Sequence, residues 1–274
     1  MKKLLTRTIT GIVFVLVMLT AIMASQYSYA LLFLLILIGS IAEYISLFRQ
    51  SEVKPNPFLS YSISIIFFLT TFLIAGGIIG IRYFLALLPL LLIIMAAELY
   101  RKQEKPAENI AATIFSIIYL AVPLSLINFL VFPEFLNSNP YTPRLLIALF
   151  GLIWTYDSGA YLVGVSIGKH RLFERISPKK SWEGAIGGTL IAIGASFFIS
   201  GLIPEIRIIH WIAISILTVV SSTFGDLTES MFKRYFGIKD SGNILPGHGG
   251  VLDRFDSLFF AAPVIVVYLK LFVE

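Results

Sequence analysis

The chain has 274 residues, of which 57% are hydrophobic and only 14% are charged. Soluble domains carry about 25% charged residues, so this composition excludes an ordinary soluble protein and predicts an integral membrane protein. Cysteine is absent, which excludes disulfides, thiolate nucleophiles and cysteine-based metal centres. The net charge of +5 is typical of basic loops beside a membrane, so we do not assign it to nucleic-acid binding.

Nine apolar runs are long enough to cross a bilayer as helices, which predicts an all-α polytopic fold with nine transmembrane helices. The predicted spans cover residues 7–24, 27–48, 58–76, 82–100, 109–132, 144–166, 184–203, 207–232 and 255–273. Only a glycine-rich segment, Gly76 to Gly80, separates the third run from the fourth, so a merged or broken pair is the alternative there. Lys2 and Lys3 before the first run also resemble a signal peptide, but a second span follows at once, which favours retention.

The distribution of basic residues predicts the orientation of the helices. With the N-terminus in the cytoplasm, alternate loops collect 17 of the 21 Lys and Arg residues and the opposite loops collect four. Because positive loops stay in the cytoplasm, the C-terminus is expected on the opposite side. Charge and glycine gather from Asp157 onward, which divides the chain into a scaffold half, residues 1–143, and a catalytic half, residues 144–274.

The eighth span carries a polar stripe. Asp226, Glu229, Ser230 and Lys233 follow at helical offsets and therefore share one face. The spacing of Glu229 and Lys233 also suits an ion pair within the helix. Asp226 has no basic residue within one turn, which favours a metal ion or a distant partner for its carboxylate.

The segment from Ser230 to Asp256 holds four basic side chains, three aspartates and five glycines. Carboxylates suit a divalent cation, Lys and Arg suit phosphates, and glycines let backbone amides approach an anion. Asp253 and Asp256 share a helix face, where they can also stabilise the helix dipole. Pairing Asp253 with Asp226 across two helices would give Mg²⁺ the oxygen ligands that it prefers.

A second basic segment lies upstream, from Ser177 to Gly184. Lys179 and Lys180 alone are typical of a cytoplasmic loop. Because glycines follow them at a helix start, the two lysines also suit a phosphate clamp. These glycines are Gly184, Gly187 and Gly188.

Three acidic residues lie inside other spans. Asp157 on the sixth span shares a face with small neighbours, which allows a functional role. Glu98 can reach the membrane interface, and Glu43 can pair with a cytoplasmic Lys or bind a polar headgroup. We assign Glu43 and Glu98 to no chemistry.

The spacing of these residues resembles the signature of a known family. Phosphatidate cytidylyltransferases, also called CDP-diacylglycerol synthases, have a signature similar to the run Ser230-x-Phe232-Lys233-Arg234, Lys239-Asp240-x-Gly242 and Leu245-Pro246-x-His248-Gly249-Gly250-Val251-x-Asp253-Arg254-Phe255-Asp256. The segment Ser177 to Gly184 resembles the family's other common element, with Ser181 where Thr is frequent. Gly225 and Asp226 match the Gly-Asp before the signature. The first half resembles the family only in being polytopic.

The resemblance implies a reaction, its cofactor and its partners. CMP would pass from CTP to phosphatidic acid, giving CDP-diacylglycerol and pyrophosphate for phospholipid biosynthesis. The cofactor implied is Mg²⁺, with a second cation left open, and the partners are CTP, phosphatidic acid and the lipid bilayer. A homodimer is left open, and nucleic acid is not expected. The expected location is the bacterial inner membrane, with the active site facing the cytoplasm.

Two other functions remain as alternatives. The nearer one is a CTP-dependent transferase that acts on an ether lipid or a polyprenol. The more distant one is a secondary transporter in which Asp157, Asp226 and Glu229 carry cations or protons. Polar residues crowded at one membrane face argue against transport, because transport sites lie near the midplane.

The resemblance also distributes roles among the candidate residues. The catalytic residues are Asp226, Asp253, Lys233, Lys239 and His248. The substrate-binding residues are Lys179, Lys180, Ser230, Arg234, Gly249, Gly250 and Arg254. Mg²⁺ is expected between Asp226 and Asp253, with Asp256 or Asp157 completing or orienting its ligand shell. A lipid phosphate is already ionised near neutral pH, so His248 is expected to hydrogen-bond phosphate or nucleotide and not to act as a base.

Overall fold

The computed structural model describes residues 2–136, 141–242 and 249–273, with side chains from residue 9 onward. Its helices are α1 (Lys2–Ala24), α2 (Gln26–Leu47), α3 (Pro57–Ala75), α4 (Leu88–Arg101), α5 (Pro106–Ser116), α6 (Val122–Leu126), α7 (Asn128–Val131), α8 (Arg144–Ile167), α9 (Trp182–Leu202), α10 (Ile208–Tyr235) and α11 (Leu252–Phe272). Two strands, β1 (Arg171–Phe173) and β2 (Ser177–Ser181), form an antiparallel hairpin that the sequence did not predict.

The helical membrane fold is confirmed. Among the described residues, eight helices are long and apolar enough to cross a membrane, and Ile9–Ala24 within α1 is a shorter apolar stretch. The merged alternative for the third and fourth spans is wrong. The chain leaves α3 through Gly77, whose φ of +70° favours glycine, and it enters α4 through a 3₁₀ segment, Ile81–Leu87.

The fifth span is the least regular. It covers Pro106–Leu136 and combines α5, a π-helical segment, α6 and α7. The π-helical segment, Ile117–Ala121, directly precedes the first turn of α6, where Pro123 lies. Because proline has no N–H to donate, the regular α-helical hydrogen-bond pattern cannot continue through this point.

The chain packs as two compact units. The first comprises Met1–Pro133 and Asp240–Phe255, and the second comprises Glu134–Lys239 and Asp256–Glu274. The functional halves expected from the sequence, residues 1–143 and 144–274, stay a prediction. The two packing units differ from these halves chiefly in the segment Asp240–Phe255, which packs with the N-terminal helices.

A buried polar network around Asn128 lies in the core of the first unit. Asn128 Oδ1 accepts a hydrogen bond from the Tyr29 hydroxyl at 2.9 Å. Asn128 Nδ2 donates to Thr71 Oγ1 at 2.9 Å and to the Phe68 carbonyl at 3.2 Å. The network therefore connects α2, α3 and α7 through groups that would be costly to leave unpaired in the interior.

Replacing Asn128 with Ala is expected to lower the free energy of unfolding by about 2 kcal/mol, because it leaves buried partners without a hydrogen bond. Thermal unfolding in detergent measures the effect. Thr20→Ala is the matched control, since the Thr20 hydroxyl is exposed and bonds only to the Leu16 and Val17 carbonyls of its own helix. A wild-type Tm for Asn128→Ala would contradict the prediction.

The second unit is organised around close packing of α8 against α9. A Cβ added to Gly188 would lie 2.8 Å from the Ala160 backbone nitrogen and 2.9 Å from the Tyr156 carbonyl oxygen. A Cβ added to Gly187 would lie 2.6 Å from the Val163 side chain. Small residues of this kind let helix backbones approach within membranes. Both glycines thus allow the close packing of α8 against α9, and the phosphate clamp expected of Lys179 and Lys180 stays a prediction.

Candidate active site

Lys180 is held by the β-hairpin and by the start of α9. It lies near the end of β2, which pairs antiparallel with β1. The next residue, Ser181, is the N-cap of α9, and its Oγ accepts a hydrogen bond from the Gly184 amide at 3.2 Å. Such a cap stabilises a helix start by about 1 kcal/mol. The backbone on both sides of Lys180 is therefore anchored.

Glu183 closes the connection between α8 and the hairpin. Its carboxylate accepts hydrogen bonds from the backbone amides of Lys169 at 3.1 Å and His170 at 3.2 Å. The His170 ring nitrogen Nδ1 also lies 2.5 Å from Glu183 Oε1. A side chain in the first turn of α9 thus fixes the chain that enters β1.

Asp226 of α10 forms an ion pair with Lys180. Lys180 Nζ lies 2.5 Å from Asp226 Oδ2, and 28% and 31% of the two side chains are exposed. Asp226 Oδ1 accepts a hydrogen bond from Ser230 Oγ at 3.2 Å. The structure thus supplies a distant partner for Asp226. Because partly exposed ion pairs contribute about 1 kcal/mol or less, a ligand can replace Lys180 at modest cost.

Two more carboxylates lie in the same region of the second unit. Asp256 interacts electrostatically with Asp226, Asp157 and Lys180. Gly225 allows α10 to approach α11 here, because a Cβ on Gly225 would meet the Asp256 carbonyl oxygen and lie 3.2 Å from Ser257 Cα. The glycine before Asp226 is therefore needed for the packing of α10 against α11, which places Asp226 and Asp256 in one region.

A cavity of about 590 Å³ opens beside these residues, within the size range of small-molecule sites. Its charged lining consists of Asp157, Asp226, Arg171, Lys179 and Lys180. Its apolar lining includes Tyr161, Val165 and Leu172. Clustered cations suit phosphate groups, and the carboxylates suit a divalent cation. Arg171 counted in the sequence only toward the orientation of the helices, because no motif distinguished it from other loop arginines.

The donor chemistry of this region fits Mg²⁺. Magnesium ions in proteins commonly use one or two carboxylates and complete their shell with water and substrate phosphates. In the described part of the chain, no three Asp, Glu or His side chains converge as a preformed ligand set. Asp226 and its neighbouring aspartates would therefore hold an ion together with substrate, and not as a closed protein cage.

Lys233 and Glu229 form the ion pair that their spacing predicted. The Nζ to Oε2 distance is 2.6 Å, and only 14% and 5% of the side chains are exposed. Arg234 and Lys239 are exposed, and Arg234 Nη1 lies 3.5 Å from the Ile238 carbonyl oxygen. The catalytic role expected of Lys233 and Lys239 and the substrate-binding role expected of Arg234 stay predictions.

Asp253 organises the start of α11 in the first unit. Its Oδ2 accepts hydrogen bonds from the Gly250 amide at 2.8 Å and the Ser241 amide at 3.1 Å. Gly249 has a φ of +86°, and a Cβ there would lie 2.6 Å from Asp253 Oδ2, so the position suits only glycine. Asp226 belongs to the other unit, and its pairing with Asp253 stays a prediction.

The remaining predicted site residues are placed as follows. Arg254 is exposed in the first turn of α11. Gly250 is buried beside Asp253. His248 lies outside the described residues, so its role stays a prediction.

The sequence interpretation missed Glu43 on α2. Its carboxylate is buried and accepts hydrogen bonds from the Val251 and Leu252 amides at 2.8 Å, which corrects the expected pairing with a Lys or a headgroup. The available signal was an acidic residue within an apolar span, with Gly39 one turn earlier. Glu98 is also buried and pairs with Arg101 at 2.7 Å, and its reach to the membrane interface stays a prediction.

Comparison with known proteins gives a consistent result. The model of the cytidylyltransferase family matches residues 5–272. A phosphatidate cytidylyltransferase of Haemophilus influenzae is 47% identical over 136 residues, which cover 47% of each chain. One of Bacillus subtilis is 44% identical over 52% of this chain and 53% of its own length. One of Rickettsia bellii is 38% identical over 66% of this chain and 78% of its own length. The chain thus matches about half the length of the first two relatives.

Proposed function

The chain belongs to the cytidylyltransferase family, and on that basis we propose that it transfers CMP from CTP to phosphatidic acid, giving CDP-diacylglycerol and pyrophosphate. The observation that supports this substrate pair is the cavity of the second unit, where Asp157 and Asp226 face Arg171, Lys179 and Lys180. Both substrates carry phosphate groups that need cations around them. One of them also carries acyl chains, which suit the apolar side of the same cavity.

In this proposal Asp226 would hold Mg²⁺ with Asp253 as the expected second ligand, and Asp256 or Asp157 would complete or orient the shell, with a second cation left open. When bound, the ion would neutralise charge on the phosphate oxygens of CTP. Lys180 would exchange its bond to Asp226 for a phosphate oxygen. Both side chains are partly exposed, so water already reaches them and separating the ion pair costs little free energy.

The lipid phosphate acts as the nucleophile. Its oxygen forms a bond to the α-phosphorus of CTP, the bond between that phosphorus and the bridging oxygen breaks, and pyrophosphate leaves. A phosphate monoester is ionised near neutral pH, so the chain needs no strong general base. Lys179, Lys180 and Arg171 would hold the two anions close together, and orientation of this kind is a large part of catalysis.

Entry of the lipid from the side of the membrane completes the proposal. Tyr161 and Val165 line the cavity and are 69% and 71% exposed, which suits contact with acyl chains that remain in the bilayer.

We place the protein in the bacterial inner membrane with its N-terminus and active site on the cytoplasmic side. The support is the bias of basic residues, 17 of 21 in one set of loops. Whether the protein forms a homodimer is left open.

The test is an assay of the purified protein in detergent with CTP, phosphatidic acid and Mg²⁺. CDP-diacylglycerol and pyrophosphate are expected in equal amounts, with neither formed in excess chelator. Parallel reactions contain an ether-linked phosphatidate or a polyprenol in place of the ester lipid. Turnover only with a polyprenol, or no turnover with any lipid, would overturn the proposal.

Replacing Lys180 with Ala is expected to lower kcat/KM by about 10- to 100-fold, because a charged hydrogen bond contributes roughly 1.5–3 kcal/mol. Initial rates at varied CTP and phosphatidic acid measure the loss. Arg175→Ala is the matched control, since Arg175 is an exposed cation of the hairpin turn that does not line the cavity. Equal losses in the two variants would contradict a specific role for Lys180.

A further inference from the structure

One buried carboxylate of the first unit binds residues on both sides of the segment 243–248. Glu43 Oε1 accepts a hydrogen bond from the Val251 amide at 2.8 Å. Glu43 Oε2 accepts from the Leu252 amide at 2.8 Å and from Ser241 Oγ at 3.0 Å. Glu43 itself is only 4% exposed. Three donors reduce the cost of keeping a charged carboxylate in the interior.

Two glycines of the signature have their explanation in this carboxylate. A Cβ on Gly242 would meet Glu43 Oε1 and lie 2.8 Å from Glu43 Cδ. A Cβ on Gly250 would meet Glu43 Oε2 and the Ser241 hydroxyl. Gly39, one turn before Glu43, leaves room for Val251, whose Cγ2 would lie 3.2 Å from a Cβ there. These glycines therefore admit a side chain of the protein itself.

Ser241 connects Glu43 to Asp253. Its Oγ lies 3.0 Å from Glu43 Oε2 and 3.1 Å from Asp253 Oδ2. Its backbone amide also donates to Asp253 Oδ2 at 3.1 Å. A hydroxyl has one hydrogen to donate, so the two carboxylates share it, while backbone amides hold each of them. A change at Glu43 must therefore alter the donors that orient Asp253.

We propose that Glu43 is a positioning residue that holds Asp253 in the orientation needed for metal-dependent transfer. It acts through Ser241, Val251 and Leu252 and touches neither substrate. The inference rests on the proposed function, in which Asp253 is a metal ligand. The Glu43 carboxylate also lies at the N-terminus of α11, where the helix dipole favours a negative charge. Without Glu43, the Val251 and Leu252 amides lose their acceptor, the Ser241 hydroxyl keeps only Asp253, and the start of α11 loses its attachment to α2.

The test compares Glu43→Gln with the wild-type protein. The amide of Gln has nearly the same shape, but its NH₂ group would face an N–H or hydroxyl donor. Replacing a residue that orients a metal ligand typically lowers metal affinity or activity by about 10- to 100-fold, so kcat should fall by that factor. The Mg²⁺ concentration for half-maximal rate should rise by about tenfold. The KM for phosphatidic acid should remain within about twofold of wild type, because Glu43 does not touch the lipid.

A second readout needs no substrate and no metal. Hydrogen exchange of the Val251 and Leu252 amides, measured on the protein in detergent, should be about tenfold faster in Glu43→Gln. Glu43→Asp keeps the charge on a shorter side chain, and it should restore part of the kcat and part of the protection. If Glu43→Gln does not fold, Glu43→Asp is compared with wild type by the same readouts, with smaller shifts expected.

Glu98→Gln is the matched control. Glu98 is 5% exposed and belongs to the same unit, but its partners are Arg101 and Asn109. This variant should lose stability while keeping the wild-type kcat and Mg²⁺ requirement. If Glu43→Gln behaves in the same way, or keeps wild-type amide exchange, the positioning role is overturned. A wild-type protein that makes no CDP-diacylglycerol would instead overturn the proposed function, and the exchange measurement separates the two failures.

Discussion

Replacing Asp226 with Asn is expected to reduce CDP-diacylglycerol formation by more than about 100-fold. Even the replacement of a residue that only orients a metal ligand lowers activity by roughly 10- to 100-fold. The change is nearly isosteric, so Ser230 keeps a partner for the contact that it makes at 3.2 Å. The charge that pairs with Lys180 at 2.5 Å is lost, together with the carboxylate proposed to bind Mg²⁺. Rates measured across a range of Mg²⁺ concentrations should stay low at every concentration.

Two comparisons make the Asp226 result specific. Glu174→Gln removes one negative charge from an exposed position of the hairpin turn, so it should keep near wild-type activity. Asp253→Asn should also abolish turnover, but Asp253 accepts hydrogen bonds from Gly250 and Ser241, so that variant also disturbs local structure. Asp226→Asn should retain the wild-type elution volume and Tm in detergent. Full activity in Asp226→Asn would refute its assignment as a metal ligand.

Replacing Gly188 with Ala is expected to lower the free energy of unfolding by about 1–3 kcal/mol, the usual cost of overpacking a filled interior. The added Cβ would lie 2.8 Å from the Ala160 nitrogen and 2.9 Å from the Tyr156 oxygen, which are backbone atoms that cannot rotate away. Separation of α8 from α9 would also move Asp157 relative to Lys180. Activity should therefore fall together with Tm in the same detergent.

Gly194→Ala provides the matched control on the same helix. A Cβ on Gly194 would meet nothing within 4 Å. Alanine is favoured over glycine inside a helix by roughly 0.5–1 kcal/mol, so this variant should be neutral or slightly stabilised. A similar loss of Tm in both variants would mean that the close contact of α8 with α9 does not limit stability.

The sequence predicted the helices well because the bilayer imposes a length on every span. Eight helices of spanning length are present in the described residues, and most lie within a few residues of their expected bounds. The ion pair of Glu229 and Lys233 was also predictable, since i and i+4 neighbours share a helix face. The β-hairpin was not predicted, because two short polar strands have no apolar alternation to identify them.

Composition alone determined that this is a polytopic membrane protein, and spacing alone predicted a phosphate-binding signature, because both depend on residues close together in the chain. Only the tertiary structure decided that Lys180 pairs with Asp226 and that Glu43 holds the start of α11. Those partners come from distant segments, and helix packing brings them together. The tertiary structure also shows why a side chain would not fit at Gly188 and Gly250, since the sequence does not reveal which atoms approach a glycine.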